Sequence, residues 1–206
     1  MNVFVLTTGR TGSLSFERAC EHINNYTAAH ESRSQLTGDA RLNFPDNHIE
    51  IDNRLSWFLG QLDQAYGDNA IYVHLKRDEN AVAKSYARRW NRETSIVRAY
   101  AYGVLKLQEH HIKNPEAVCL DFVKTTNANI ESFLKDKSKS MTFDLEHLET
   151  DFEKFWQLID AQGDFNQALE AFKSGHNASG SDKKDYTLWA KTIRVIKKLP
   201  SFIRNA

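Results

Sequence analysis

The run Thr7-Thr8-Gly9-Arg10-Thr11-Gly12-Ser13 carries residue types that could hold an anion. Gly9 and Gly12 allow the backbone to come close to a bound group, Arg10 brings a charge that does not titrate away, and the threonines and serine add hydroxyl donors. Before it, Val3-Phe4-Val5-Leu6 is apolar without alternation, which predicts a strand buried on both faces. After it, Leu14, Ala19 and Ile23 recur at helical spacing. In a strand–turn–helix unit, the unpaired N–H groups and dipole of the first helical turn favour an anion at the turn. A phosphate or sulfate cradle is one reading; a glycine-rich turn with no ligand has the same local pattern. The nucleoside-triphosphatase loop is a poor match, because it needs four residues between its glycines and a Lys-Ser/Thr pair after the second. Here only Arg10 and Thr11 intervene, and Ser13 follows directly.

A second basic turn lies at Lys76-Arg77-Asp78-Glu79-Asn80, with Ser85 eight residues beyond Arg77. Lys84, Arg88, Arg89 and Arg92 add charge, and taken alone the stretch reads equally well as a solvated basic helix face. Two anion-receiving turns at strand ends suit a ligand with two anionic groups.

The elements that must position these turns alternate. Strands are predicted at 3–6, 26–30, 48–53, 70–75 and 141–145. Helices are predicted at 14–23, 55–66, 81–90, 95–111, 115–140, 148–159 and 185–199, the last basic and amphipathic. Within 115–140 the opening part, 117–122, also suits a strand; 175–182 reads as a loop. The expected fold is α/β, a three-layer α/β/α domain with a mostly parallel central sheet, spanning 1–206 as one unit. Ligands on such sheets sit at the carboxyl ends of the strands, where loop 7–13, His30, Glu31 and Arg77 would emerge.

Composition narrows the classes. Lysine and arginine number 27, as do aspartate and glutamate, so no general nucleic-acid binder is expected. Cys20 and Cys119 are the only cysteines, too few for a disulfide framework or a cysteine-based zinc site. With a strand starting at once and no membrane-length apolar run, the expectation is a protein without signal peptide in a reducing cytoplasm. The basic 185–199 helix could touch an anionic membrane, though a solvated terminal helix is the plainer reading.

The two motifs together, Thr7 to Ser13 and Arg77 with Ser85, resemble sulfotransferases that use 3′-phosphoadenosine 5′-phosphosulfate (PAPS), and Phe143-Asp144-Leu145-Glu146-His147-Leu148 resembles their last strand and turn. The resemblance spans roughly 1–160 and implies a P-loop-like sulfotransferase fold. It implies that Thr8, Gly9, Arg10, Thr11, Gly12 and Ser13 hold the 5′-phosphosulfate and that Arg77 and Ser85 hold the 3′-phosphate. It implies sulfuryl transfer to a hydroxyl of a small molecule or glycan, with no metal required. Arg10 stands where cytosolic members carry lysine, closer to the carbohydrate and bacterial branches. The Gly-rich, Lys/Arg-containing closing segment of cytosolic members has only a faint counterpart at 179–184.

Sulfuryl transfer needs charge stabilisation, here from Arg10 and the loop, and a base for the acceptor's proton. Glu31, His30, His48 and Asp52 are the candidates. Glu31 comes first because carbohydrate-type members use a glutamate in that place; Asp52 reads better as a helix cap. His176 and Asn177 could line the site. Trp57, Phe58, Tyr86, Trp90, Tyr100 and Tyr102 are either core or flank a ring. Segments 32–47 and 91–113 would shape the acceptor pocket. The rivals are a small-molecule kinase or other nucleotide phosphotransferase, which wants the missing lysine, and a non-catalytic nucleotide-binding module.

Overall fold

Val3 and Val5 point to one side of the first strand and Phe4 and Leu6 to the other, and all four are fully buried, so the strand must be covered on both faces. The computed structural model describes residues 1–92 and 94–178. Its centre is one five-stranded sheet, ordered β2-β3-β1-β4-β5 and parallel throughout: β1 (Asn2–Thr7), β2 (Thr27–His30), β3 (His48–Ile51), β4 (Ala70–Lys76) and β5 (Ser140–Asp144). The seven helices among the described residues are α1 (Ser13–Cys20), α2 (Leu59–Tyr66), α3 (Glu79–Ala87), α4 (Ile96–Ala99), α5 (Pro115–Leu134), α6 (Leu148–Leu158) and α7 (Phe165–Ala178).

One face packs Val3, Val5, Ile49, Ile51, Val73 and Phe143 against α1, α6 and α7, where Phe16 stands edge-on to Phe143, Phe155 and Phe172 at 4.9–5.5 Å. The other packs Phe4, Leu6 and Tyr72 against α2, Phe44 and the end of α5. The expected three-layer architecture is thus the one observed. β1 and β4 are neighbours whose exits diverge, β1 toward β2 and β4 toward β5. That divergence opens a crevice at their carboxyl ends.

Several elements depart from expectation for local reasons. The strand alternative at 117–122 is not adopted: Asn114 caps α5, its side chain accepting from Glu116 N–H, and Pro115 opens the helix. The helix expected over 95–111 stops early. After α4 the chain makes a π turn at Tyr100–Val104, with Leu105 N–H donating to Tyr100 O, and Lys106 then turns left-handed at φ 53°. The Tyr100 hydroxyl, bonded to Asp121 at 2.5 Å, ties this turn to α5. The helix expected over 55–66 divides at Phe58 into a 3-10 turn, Asn53–Trp57, and α2. Residues 175–178, expected as loop, end α7; that helix lies on α1, so close that a Cβ at Gly175 would stand 2.8 Å from Ser15 Oγ. The predicted 185–199 helix and the 179–184 segment lie outside the described residues.

Candidate functional site

Gly9, Arg10 and Gly12 all lie in the left-handed region, at φ 78°, 63° and 87°, and this curls loop 7–13 back on itself. The Thr7 and Thr11 hydroxyls meet at 2.5 Å across its base, and Gly9 N–H donates to Thr7 Oγ1 at 3.2 Å. The N–H groups of Arg10, Thr11, Gly12, Ser13 and Leu14 find no acceptor among the described residues. Gly9 is demanded by its neighbours as well as by its φ, since a Cβ there would lie 2.4 Å from Tyr86 Oη and 2.7 Å from Asn53 Nδ2. Tyr86 earns that position by donating to Thr8 O at 2.7 Å, and burial pushes its phenol up to about 12, so it stays a donor.

The second basic turn arrives at the same place. Asp78 caps α3 by accepting from Ala81 N–H at 2.7 Å, and about two turns on Ser85 faces the loop. Arg10 Nε donates to Ser85 Oγ at 3.1 Å, and Arg77 Nη1 reaches Arg10 O at 3.5 Å. Motifs far apart in sequence therefore form one cluster. Burial lowers the Arg10 guanidinium from its usual value, and Arg89, Arg92 and Arg77 push the same way. Among the described residues no carboxylate pairs with Arg10, Arg77, Arg89 or Arg92, and unmatched cations that act on one another are the electrostatic footprint of an anion site.

On the β2 side, His30 Nε2 lies 3.0 Å from Ser13 Oγ, at the start of α1. Glu31 follows in a left-handed conformation at φ 50°, its N–H on Ile51 O and its carboxylate 2.6 Å from Arg54 Nη1. Asp52 does cap the 3-10 turn, accepting from Arg54 N–H at 2.7 Å, and also pairs with buried Arg41. Burial pushes the Asp52 carboxyl up, while the Arg54 N–H and Arg41 oppose.

His48 stands elsewhere. The parallel register sets it beside Asn2, whose Oδ1 accepts its N–H, about 17 Å along the sheet from the start of loop 7–13 at ~3.3 Å per residue. Its ring nitrogens engage Thr27 at 2.8 Å and Glu50 at 2.9 Å. That geometry removes His48 from the candidates for the base.

Three contributors were hidden in the sequence. Glu50, a polar residue between two isoleucines, is fully buried, holding Ser32 by its N–H at 2.7 Å and its hydroxyl at 2.6 Å, and so fixing the turn that carries Glu31. Arg54, three residues past the end of β3, betrays no link to Glu31. Tyr86 is one of several helical aromatics; only its spacing from Ser85 hints at the loop. Trp57, Phe58 and Tyr102 line a pocket near Arg54 between residues 34–58 and 94–104, drawn from both segments expected to shape one, while Tyr86, Tyr100 and Trp90 pack in the core around α5. His176 and Asn177 fall within α7. Among the described residues there is no group of three or more histidine, cysteine or acidic side chains placed to hold a metal, and no helix long and apolar enough to cross a membrane.

No protein-family model matches the sequence, and neither does any curated protein sequence. Among solved structures the chain is similar to a sulfotransferase from Alicyclobacillus acidocaldarius, at 10% identity and a TM-score of 0.52, over 84% of this chain and 94% of that one. The likeness is one of fold: a parallel α/β sheet flanked by helices.

Proposed function

We propose that the protein is a sulfotransferase that moves a sulfuryl group from PAPS to a hydroxyl acceptor. The observation that carries this reading is the Arg10 Nε to Ser85 Oγ bond of 3.1 Å, which joins two anion-receiving turns into one cluster suited to a ligand with phosphates at two positions. The residues fit such a group. Five successive N–H groups are unclaimed among the described residues, and the charges of Arg89, Arg92 and Arg77 all bear on the Arg10 guanidinium. PAPS, when bound, supplies an activated sulfuryl group on its 5′-phosphate.

The chain's own residues would divide the work. Arg10, the loop N–H groups and the hydroxyl of Ser13 hold the 5′ end, where charge grows during transfer, while Thr8, its hydroxyl donating to Gly9 O at 3.1 Å, shapes the loop. Thr11, its hydroxyl spent on Thr7, shapes the loop and offers its N–H. Arg77 and Ser85 take the 3′-phosphate; Ser85 accepts from Arg10 and keeps its own O–H to donate. His30 orients Ser13. Glu31, steered by Arg54, takes the acceptor's hydroxyl proton.

Calorimetric titration with adenosine 3′,5′-bisphosphate, with magnesium ATP alongside and both repeated on Arg77→Ala, tests the reading. Micromolar bisphosphate binding that collapses in the variant, with weak ATP binding, is expected. Tight ATP binding indifferent to Arg77 would overturn it in favour of a kinase.

A further inference from the structure

Beside the Glu31–Arg54 pair lies a pocket of about 650 Å³, within the range of small-molecule sites. Its wall is largely apolar, and Leu36, Trp57 and Val104 stand 43–51% exposed at it, unusual for side chains of that size. The π turn sets Tyr102 and Val104 in that wall. Three arginines share the lining, and among the described residues no carboxylate does. Arg54 is held by Glu31 and Arg41 by Asp52, whereas Arg98 rests on the Tyr102 ring, 5.3 Å from its centroid, and meets no acid among the described residues. Two further donors of this wall, Tyr102 Oη and Nη1 of the 2% exposed Arg41, are buried without a hydrogen-bond partner. Buried donors are nearly always satisfied in folded proteins, so two orphans at one pocket point to a polar ligand.

Resting on the sulfuryl-transfer reading above, we infer that this pocket takes the acceptor, and that the acceptor is an amphipathic hydroxyl compound bearing an anionic group. Its apolar, ring-containing body lies against Trp57 and Phe58, its anion meets Arg98, and its hydroxyl faces the Arg54–Glu31 end. A neutral acceptor would strip water from Arg98 without replacing it; an anionic one forms a charge-assisted bond in a half-apolar setting. The same arginines discriminate against cationic acceptors.

The probes are 6-hydroxy-2-naphthoate and 2-naphthol, which differ by the carboxylate, titrated by calorimetry into the wild type, Arg98→Gln and Trp57→Ala. Adenosine 3′,5′-bisphosphate binding is measured on the same samples. The naphthoate is expected to bind about tenfold more tightly than the naphthol, the advantage vanishing in Arg98→Gln. Trp57→Ala should weaken both probes. Equal affinities, an advantage that survives Arg98→Gln, or no binding by either probe overturns the inference. A naphthoate preference that behaves as expected beside absent bisphosphate binding overturns the sulfuryl-transfer reading, and with it the pocket's role as acceptor site, while its charge preference stands.

Discussion

Glu31 and Arg54 meet at 2.6 Å between the carboxyl ends of β2 and β3, each side chain about one-third exposed. The ion pair engages Glu31 Oε2 and leaves Oε1 without a protein partner among the described residues, so one oxygen is anchored while the other can accept a proton. Glu31→Gln preserves the size and the contact but removes the basicity. Turnover should fall by at least about 100-fold, the usual weight of a general base, with bisphosphate affinity unchanged. Steady-state kinetics beside calorimetry decides it. Should His30→Gln cause the larger loss in turnover, the role passes to His30, which touches the loop through Ser13.

Gly9 and Gly12 should respond differently to alanine. Both require a left-handed backbone, which costs an L-residue about 1–2 kcal/mol. At Gly12 the new methyl would meet Leu145 at an ordinary 3.4 Å, so that cost is the whole of it. At Gly9 it would collide with Tyr86 and Asn53, breaking the Tyr86 bond to Thr8 O as well. Urea denaturation should rank Gly9→Ala clearly below Gly12→Ala in stability. Equal losses would mean that the Tyr86 contact yields freely.

His74 lies at the middle of β4, fully buried, with Nε2 on Asn127 Oδ1 at 3.1 Å and Nδ1 without a partner. Burial, and secondarily Lys76, depress it from 6.5 to about 4 against the opposing Asn127 bond. The unfolded chain therefore takes up a proton near pH 6.5 that the folded one refuses until about pH 4. Stability is intact above 6.5 and is lost as pH falls through that window, by on the order of 3 kcal/mol at ~1.4 kcal/mol per pH unit. Urea midpoints measured from pH 4 to 7 should slope upward more steeply in the wild type than in His74→Met. Parallel slopes would show that the fold does not depress His74.

What could be foreseen from sequence was local. The four apolar residues of β1 and the glycines after them define strand, turn and first helix within a dozen residues, and the same holds for β4 and Arg77. Their union was not local, because Arg10 reaches Ser85 only once β1 and β4 lie side by side. The break at Tyr100 escaped because apolar spacing continues through it; the turn is held by a hydroxyl reaching Asp121 on another helix. Helix α7 has a periodic apolar face of its own in Phe165, Ala168, Leu169 and Phe172, a signal legible in the sequence. Glu50 is not legible for the opposite reason: nothing in the alternation of β3 announces that Ser32 and His48 fold over its carboxylate.

Arg41 and Asp52 form a pair that is almost wholly buried beneath the pocket, with the Arg41 guanidinium 5.2 Å from the Phe58 ring centroid. Asp52 also satisfies Arg54 N–H, so its loss strands two groups at once. Removing one partner of a buried pair leaves an uncompensated charge, and Asp52→Ala should cost about 3–5 kcal/mol. Replacing both with apolar residues of similar volume, Arg41→Met with Asp52→Leu, removes the stranded charge and leaves mainly the cap to be lost, about 1 kcal/mol. The double variant should thus be more stable than Asp52→Ala alone, and a double-mutant cycle in urea should show strong coupling. A double variant as unstable as the sum of its singles would mean that the two side chains act separately. Because Arg41 borders the pocket, naphthoate affinity on the same variant separates its structural part from any part in binding: a stable double variant that binds the probe as the wild type does would assign Arg41 to the fold and leave the anion to Arg98.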